Sequence, residues 1–189
     1  AIDPQCFLDC FVQWVRGICP ALAGDVVAID GKALRRALNE GDSIPYIVSA
    51  WASENGLVLG QVKVDDKSNE ITAIPELLRL LTLKGCLVTI DAMGCQRDIA
   101  QCVVDAGADY LLAVKGNQET LAEDIEQEFK DAQADRFAHM DCLYEETLGK
   151  GHGRIEKHQY WYTHDIQGLG TLERWPKLAG MVMCRATRT

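Results

Sequence analysis

Between Ile71 and Ala134 two hydrophobic periodicities alternate, and that alternation limits the fold more than any other feature. Apolar residues recur at helical spacing at positions 71, 74, 77, 78 and 81 of a stretch running to Leu83. Leu87-Val88-Thr89-Ile90 is a short buried-type strand that ends at Asp91. Helical spacing returns from Cys95 to Ala106 and stops at Gly107. Tyr110 to Val114 is another strand, ending at Lys115-Gly116-Asn117, and a long acidic helix follows from Leu121 to Ala134. Strand and helix in such alternation predict parallel strands joined by crossovers.

The upstream part reads differently. Asp3-Pro4 is a helix start, with Asp at the N-cap and Pro in the first turn, and helical spacing continues to Gly17. Val26 to Ile29 is a short apolar run ending at Asp30-Gly31-Lys32. Tyr46 to Trp51 and Leu57 to Val64 flank the turn signal Glu54-Asn55-Gly56 and form a hairpin. These three runs predict an antiparallel meander. Downstream of the acidic helix the chain reads as strands at 142–148, 155–163 and 179–184. The expected fold is therefore α/β: three antiparallel strands, then parallel strands, with helices on the sheet and a β-rich C-terminal part. Residues 1–20 read as a helix left from an upstream region, and 21–189 as the core.

Composition narrows the function classes. The 189 residues are 48% apolar and 25% charged, the mix of a folded globular domain rather than a disordered chain. No apolar run approaches a membrane span, and the first residues do not form a signal peptide. The net charge of −9 argues against a free-standing nucleic-acid binder. That charge is local: residues 119–146 hold ten acids and two bases, which fits a solvated helix face. Eight cysteines without a Cys-x-x-Cys fit small hydrophobes in a reducing cytoplasm, which is the expected location.

Asp30 and Asp91 share a context. Each follows four apolar β-type residues and precedes a Gly or Ala-Met-Gly turn. Sites in α/β sheets gather at strand ends. Were the two strands neighbours, two carboxylates would meet there, and a hard divalent cation is what stabilises such a pair. The other reading, in which each Asp caps its turn, stays open at this point.

Several longer stretches carry a resemblance. Ala28-Ile-Asp-Gly-Lys32, Ile47 to Gln61, Thr89-Ile-Asp-Ala-Met-Gly-Cys-Gln96, Gly107 to Gln118 and Gly151-His-Gly-Arg-Ile-Glu156 resemble bacterial transposases of the ISAs1 family, also called H-repeat-associated proteins. The resemblance covers nearly the whole chain. It implies an RNase H-like core with a DDE metal site that holds Mg²⁺ or Mn²⁺, acting on insertion-sequence DNA by two-metal strand cleavage and transfer. Asp30 and Asp91 take the places of the first two acids and of the metal ligands. The third is less clear. In the wider group the catalytic Glu sits in a Trp-x-Ile-Glu helix, and no such pattern occurs before Thr189. Glu156 is the acid on offer, but its His-Gly-Arg-Ile-Glu setting is that of a strand. The expectation is an incomplete core with weak cation binding and little cleavage.

Basic residues supply the DNA-facing candidates. Lys32 and Arg35 follow Asp30, and Lys115 and Asn117 end the strand after the Asp91 unit. Lys150, His152, Arg154 and Lys157 form the best basic patch, able to follow a phosphate backbone. The plainer readings are a surface Lys, an N-cap Asn and a solvated β-ribbon. Trp51 and Tyr110 read as core. A homodimer fits the resemblance. Two other readings stand beside the transposase: a structure-selective nuclease of the same fold, and a non-catalytic remnant binding DNA or a partner. A small-molecule α/β domain is disfavoured, because the Gly-rich phosphate loops are absent.

Overall fold

The computed structural model describes residues 3–18, 22–33, 46–64, 70–151 and 154–188. They divide into two compact units, Ala1–Asn117 and Gln118–Thr189. Arg35 and His152 lie outside the described residues.

The first unit carries α1 (Pro4–Ile18), β1 (Val26–Ala33), β2 (Tyr46–Ala52), β3 (Leu57–Val64), α2 (Glu70–Leu80), β4 (Leu87–Ile90), α3 (Arg97–Asp105) and β5 (Asp109–Leu112). Its sheet has the order β3-β2-β1-β4-β5. β1, β2 and β3 pair antiparallel, while β4 runs parallel to β1 and β5 parallel to β4. Three antiparallel strands, then two parallel strands added beyond the first, is the mixed sheet that the periodicities predicted and the RNase H-like arrangement that the resemblance implied. The switch is forced by the connections. A short turn joins β2 to β3, whereas β4 and β5 are each reached through a helix, which returns the chain parallel.

Period-2 burial puts Val27 and Ile29 of β1 and Val88 and Ile90 of β4 into one core with Val48, Ala50 and Val62. Leu77 and Leu78 of α2 and Ile99 and Val103 of α3 close it, all but sealed from solvent. Asp3 caps α1 as expected, its Oδ1 accepting the N–H of Cys6 at 2.9 Å. Arg16 ties that helix to the end of α2 by donating to the Leu80 carbonyl at 2.7 Å. At the start of β1 the buried Asp25 accepts from Glu54 N at 2.9 Å and Asn55 Nδ2 at 2.7 Å, which fastens the β2–β3 turn.

Two helix boundaries and one burial differ from expectation, and β1 runs on through Asp30 to Ala33. α2 ends at Leu80, and Leu83 is buried outside it. α3 begins at Arg97, because residues 92–96 are spent on a turn after Asp91, with Cys95 N bonded to Ala92 O and Gln96 N to Gly94 O. Trp51, expected in the core, is 44% exposed: strand alternation buries Ala50 and Ala52 and sends the residue between them outward.

The second unit holds α4 (Glu119–Ala134) and a three-stranded antiparallel sheet β6-β7-β8 (Cys142–Gly151, Arg154–Thr163, Met181–Arg188). Trp161 of β7 stacks on Phe137 with ring centroids 6.2 Å apart, and the Arg185 guanidinium lies over it at 5.4 Å. Phe137 and the preceding Arg136 hold positive φ angles of 63° and 60°, so the turn after α4 uses the left-handed region to deliver that ring.

Candidate active site on β1 and β4

The β1–β4 register decides the site. Ile29 pairs with Ile90 across the two parallel strands, and both are buried. Asp30 and Asp91 are the next residues along, and both are exposed. Neighbouring strands lie about 4.8 Å apart, so the register brings the two acids together at the same end of the sheet. Such a pair offers oxygen ligands to one hard cation, with the remaining positions left for water or phosphate oxygens. Among the described residues no group of three or more His, Cys, Asp or Glu is placed to hold a metal.

The two acids differ in how they are held. Asp30 sits within β1, opposite Ser49 of β2. Asp91 lies just past β4 and folds into its own turn, where Oδ1 accepts the N–H of Met93 at 3.0 Å and of Gly94 at 3.4 Å. One oxygen is thus committed to the loop, which fixes the orientation of the carboxylate. Gly94 is required there: a Cβ would overlap Ile90 Cγ2 and lie 2.9 Å from Ile74 Cδ1. The turn-cap reading of Asp91 is therefore correct as local structure, and it leaves the second oxygen available.

Around this pair, Lys32 is exposed two residues beyond Asp30, on the same face of β1 by strand alternation. Lys115 is exposed after β5. The plainer reading of Asn117, as an N-cap, does not hold. The cap residue of α4 is Gln118, which makes no side-chain cap bond, and the Asn117 amide instead donates to the Ala92 carbonyl. Behind the turn Cys95 is buried, and burial pushes its thiol up to about 11. Tyr110 is raised to about 12, mainly by burial and further by Cys95.

The remaining candidates belong to the second unit. Glu156 stands on β7 and holds Arg188 of β8 at 3.0 Å. Lys157 is paired with Glu146 of β6 at 2.9 Å, and that hydrogen bond raises its pKa. Lys150 is exposed on β6, and Arg154 opens β7 opposite Gly151. Asp25 and the Glu156–Arg188 pair escaped sequence reasoning. The Asp25 signal was present as an acid just before an apolar strand; Arg188 carried none.

Residues 22–168 match the family described as "Transposase DDE domain". The "Uncharacterized protein in dhlA 3'region" of Xanthobacter autotrophicus is 39% identical over 99% of this chain and 63% of its own length. "Putative transposase YncI" of Escherichia coli K12 is 52% identical over 68% of this chain and 52% of its own length. "H repeat-associated putative transposase YhhI" of the same strain is 43% identical over 82% of this chain and 41% of its own length. The chain therefore spans less than two-thirds of each of these relatives.

Proposed function

The chain belongs to the DDE-domain transposases, and from that premise we propose that Asp30 of β1 and Asp91, just past β4, form the divalent-cation site of a DNA transposase, which cleaves and joins insertion-sequence DNA. The observation that carries this is the register of Asp30 and Asp91, one residue beyond a buried Ile pair on adjacent parallel strands. The donor set suits Mg²⁺ or Mn²⁺, since it is all oxygen and accessible.

A bound ion of this kind, or two of them as in phosphoryl-transfer sites generally, supplies stabilisation of charge on the attacking and leaving oxygens. The chain's own residues do the positioning. Asp30 and Asp91 concentrate negative charge where the ion belongs. The hydrogen bonds from Met93 and Gly94 keep Asp91 in one orientation before any ligand arrives, which reduces the reorganisation needed at the moment of reaction. Lys32 and Lys115 meet the phosphate backbone as point charges on either side of the acid pair. On the second unit, Lys150 and Lys157 offer point charges to a phosphate backbone. Glu156 pairs with Arg188 across β7 and β8.

The DNA half of the proposal is tested by binding of insertion-sequence end duplexes to the wild-type chain and to Lys32→Glu and Lys115→Glu at several salt concentrations. Each variant is expected to bind more weakly across all sequences and to lower the salt slope by about 1. Unchanged affinity and slope in both variants would contradict it.

A further inference from the structure

The segment that follows β5 holds the Asp91 loop on both sides of the acid. Ala113 N donates to the Ile90 carbonyl at 3.1 Å. Asn117 Nδ2 donates to the Ala92 carbonyl, 25 residues back in the chain. The carbonyls immediately before and after Asp91 are thus gripped by one short stretch. Between these two anchors the Asp91 carboxylate accepts from Met93 N and Gly94 N. Asn117 is exposed and stands one residue before Gln118, the N-cap of α4, which makes no side-chain cap bond. An Asn there ordinarily stabilises its helix. Here its amide is turned away from the helix and onto the loop.

Resting on the reading of Asp91 as a cation ligand, we propose that Asn117 is a positioning residue for Asp91, pinning the Ala92 peptide so that the carboxylate keeps its orientation beside Asp30. Outer-shell groups that orient a ligand of this kind affect cation affinity without touching the cation. The contact is a side-chain bond to a backbone carbonyl, so a side chain lacking an N–H donor removes it while the Ala113–Ile90 bond stays intact.

The test compares the wild-type chain with Asn117→Ala, Asn117→Gln and Asp91→Asn. Hydrogen exchange at the Met93 and Gly94 amides reports the loop, and electron paramagnetic resonance titration with Mn²⁺ reports the ligand. In Asn117→Ala those two amides should exchange at least about tenfold faster, and Mn²⁺ should bind about 10- to 100-fold more weakly. The Ala113 amide and the melting temperature should be unchanged. Asn117→Gln, which keeps the donor, should recover part of both effects. Unchanged exchange and affinity in Asn117→Ala, with Mn²⁺ lost in Asp91→Asn, would overturn the assignment of Asn117 and leave the cation site standing. Loss of Ala113 protection together with a lower melting temperature would overturn it too, since Asn117 would then support the fold rather than the acid. Unaltered Mn²⁺ binding in Asp91→Asn would remove the cation reading and the proposal with it.

Discussion

Asp30, within β1, and Asp91, just past β4, each stand one residue beyond the Ile29–Ile90 pair of these neighbouring parallel strands. The buried Ile pair fixes how far each strand is drawn into the core. A slip of one residue would send both Ile side chains to the open face, at a cost of about 1.5–3 kcal/mol for each exposed side chain. The core thus sets the acid pair, and changes that disturb core or turn should be felt at the site.

Gly94→Ala is the most direct of these. The added methyl would overlap Ile90 Cγ2 and press on Ile74 Cδ1 at 2.9 Å, both inside the core. The expected loss is about 1–3 kcal/mol, the usual cost of overpacking. Urea unfolding checks it, and a midpoint equal to wild type would contradict the packing described.

Asp25 should govern acid stability of the first unit. Burial raises its pKa, but the Glu54 N–H, the Asn55 amide and further backbone donors outweigh burial and leave the carboxyl below its ordinary 3.8. The charged form is therefore favoured in the fold. Its contribution is complete above the ordinary value and is lost as pH falls through the lower folded one. Asp25→Ala should cost about 1–3 kcal/mol at pH 7, because the buried donors lose their partner. Its unfolding curve should also depend less on pH below about 4 than that of wild type. A variant as stable as wild type at pH 7 would contradict this role.

The turn after α4 should respond to pH in the opposite sense. His139 is raised above its ordinary 6.5, first by its hydrogen bond to Asp135 and then by the charges of Asp135, Glu128 and Asp131. Asp135 is lowered, first by the same bond. A raised His stabilises below its unfolded pKa, and the contribution disappears as pH rises through the folded value. The pair is thus complete in mildly acid solution. Proton NMR should place the His139 midpoint above 6.5, and Asp135→Asn should bring it back down. An unmoved midpoint in that variant would contradict the pairing.

Thiol reactivity should follow burial. Cys6, Cys10 and Cys184 are exposed, while Cys86 and Cys95 are buried with raised pKa values, Cys95 at about 11. Iodoacetamide at pH 8 should label the first three in the native chain and spare the other two. Labelling of Cys95 at the rate of Cys184 would show that the turn behind Asp91 opens readily.

Much of this was legible in the chain itself. β4 was bounded at Leu87 and Ile90 by its apolar run, and the hairpin by Asn55-Gly56, since both signals are local. The acid pair was legible only on condition that the two strands were neighbours, which is a matter of topology. The start of α3 misled because Cys95 fits helical spacing, yet its burial comes from a turn organised by Asp91. Trp51 misled because its bulk suggested the core, while alternation with two buried alanines decides its face. The Asn117–Ala92 and Glu156–Arg188 contacts join residues distant in sequence, and no pattern announces them.

The central claim is that Asp30 and Asp91 share one divalent cation, and paramagnetic broadening by Mn²⁺ in the ¹⁵N-labelled chain tests it most directly. Broadening should centre on the amides around Asp30 and Asp91, and either Asp30→Asn or Asp91→Asn should abolish it. Broadening that persists in both variants, or that centres on the acidic helix α4, would contradict the account.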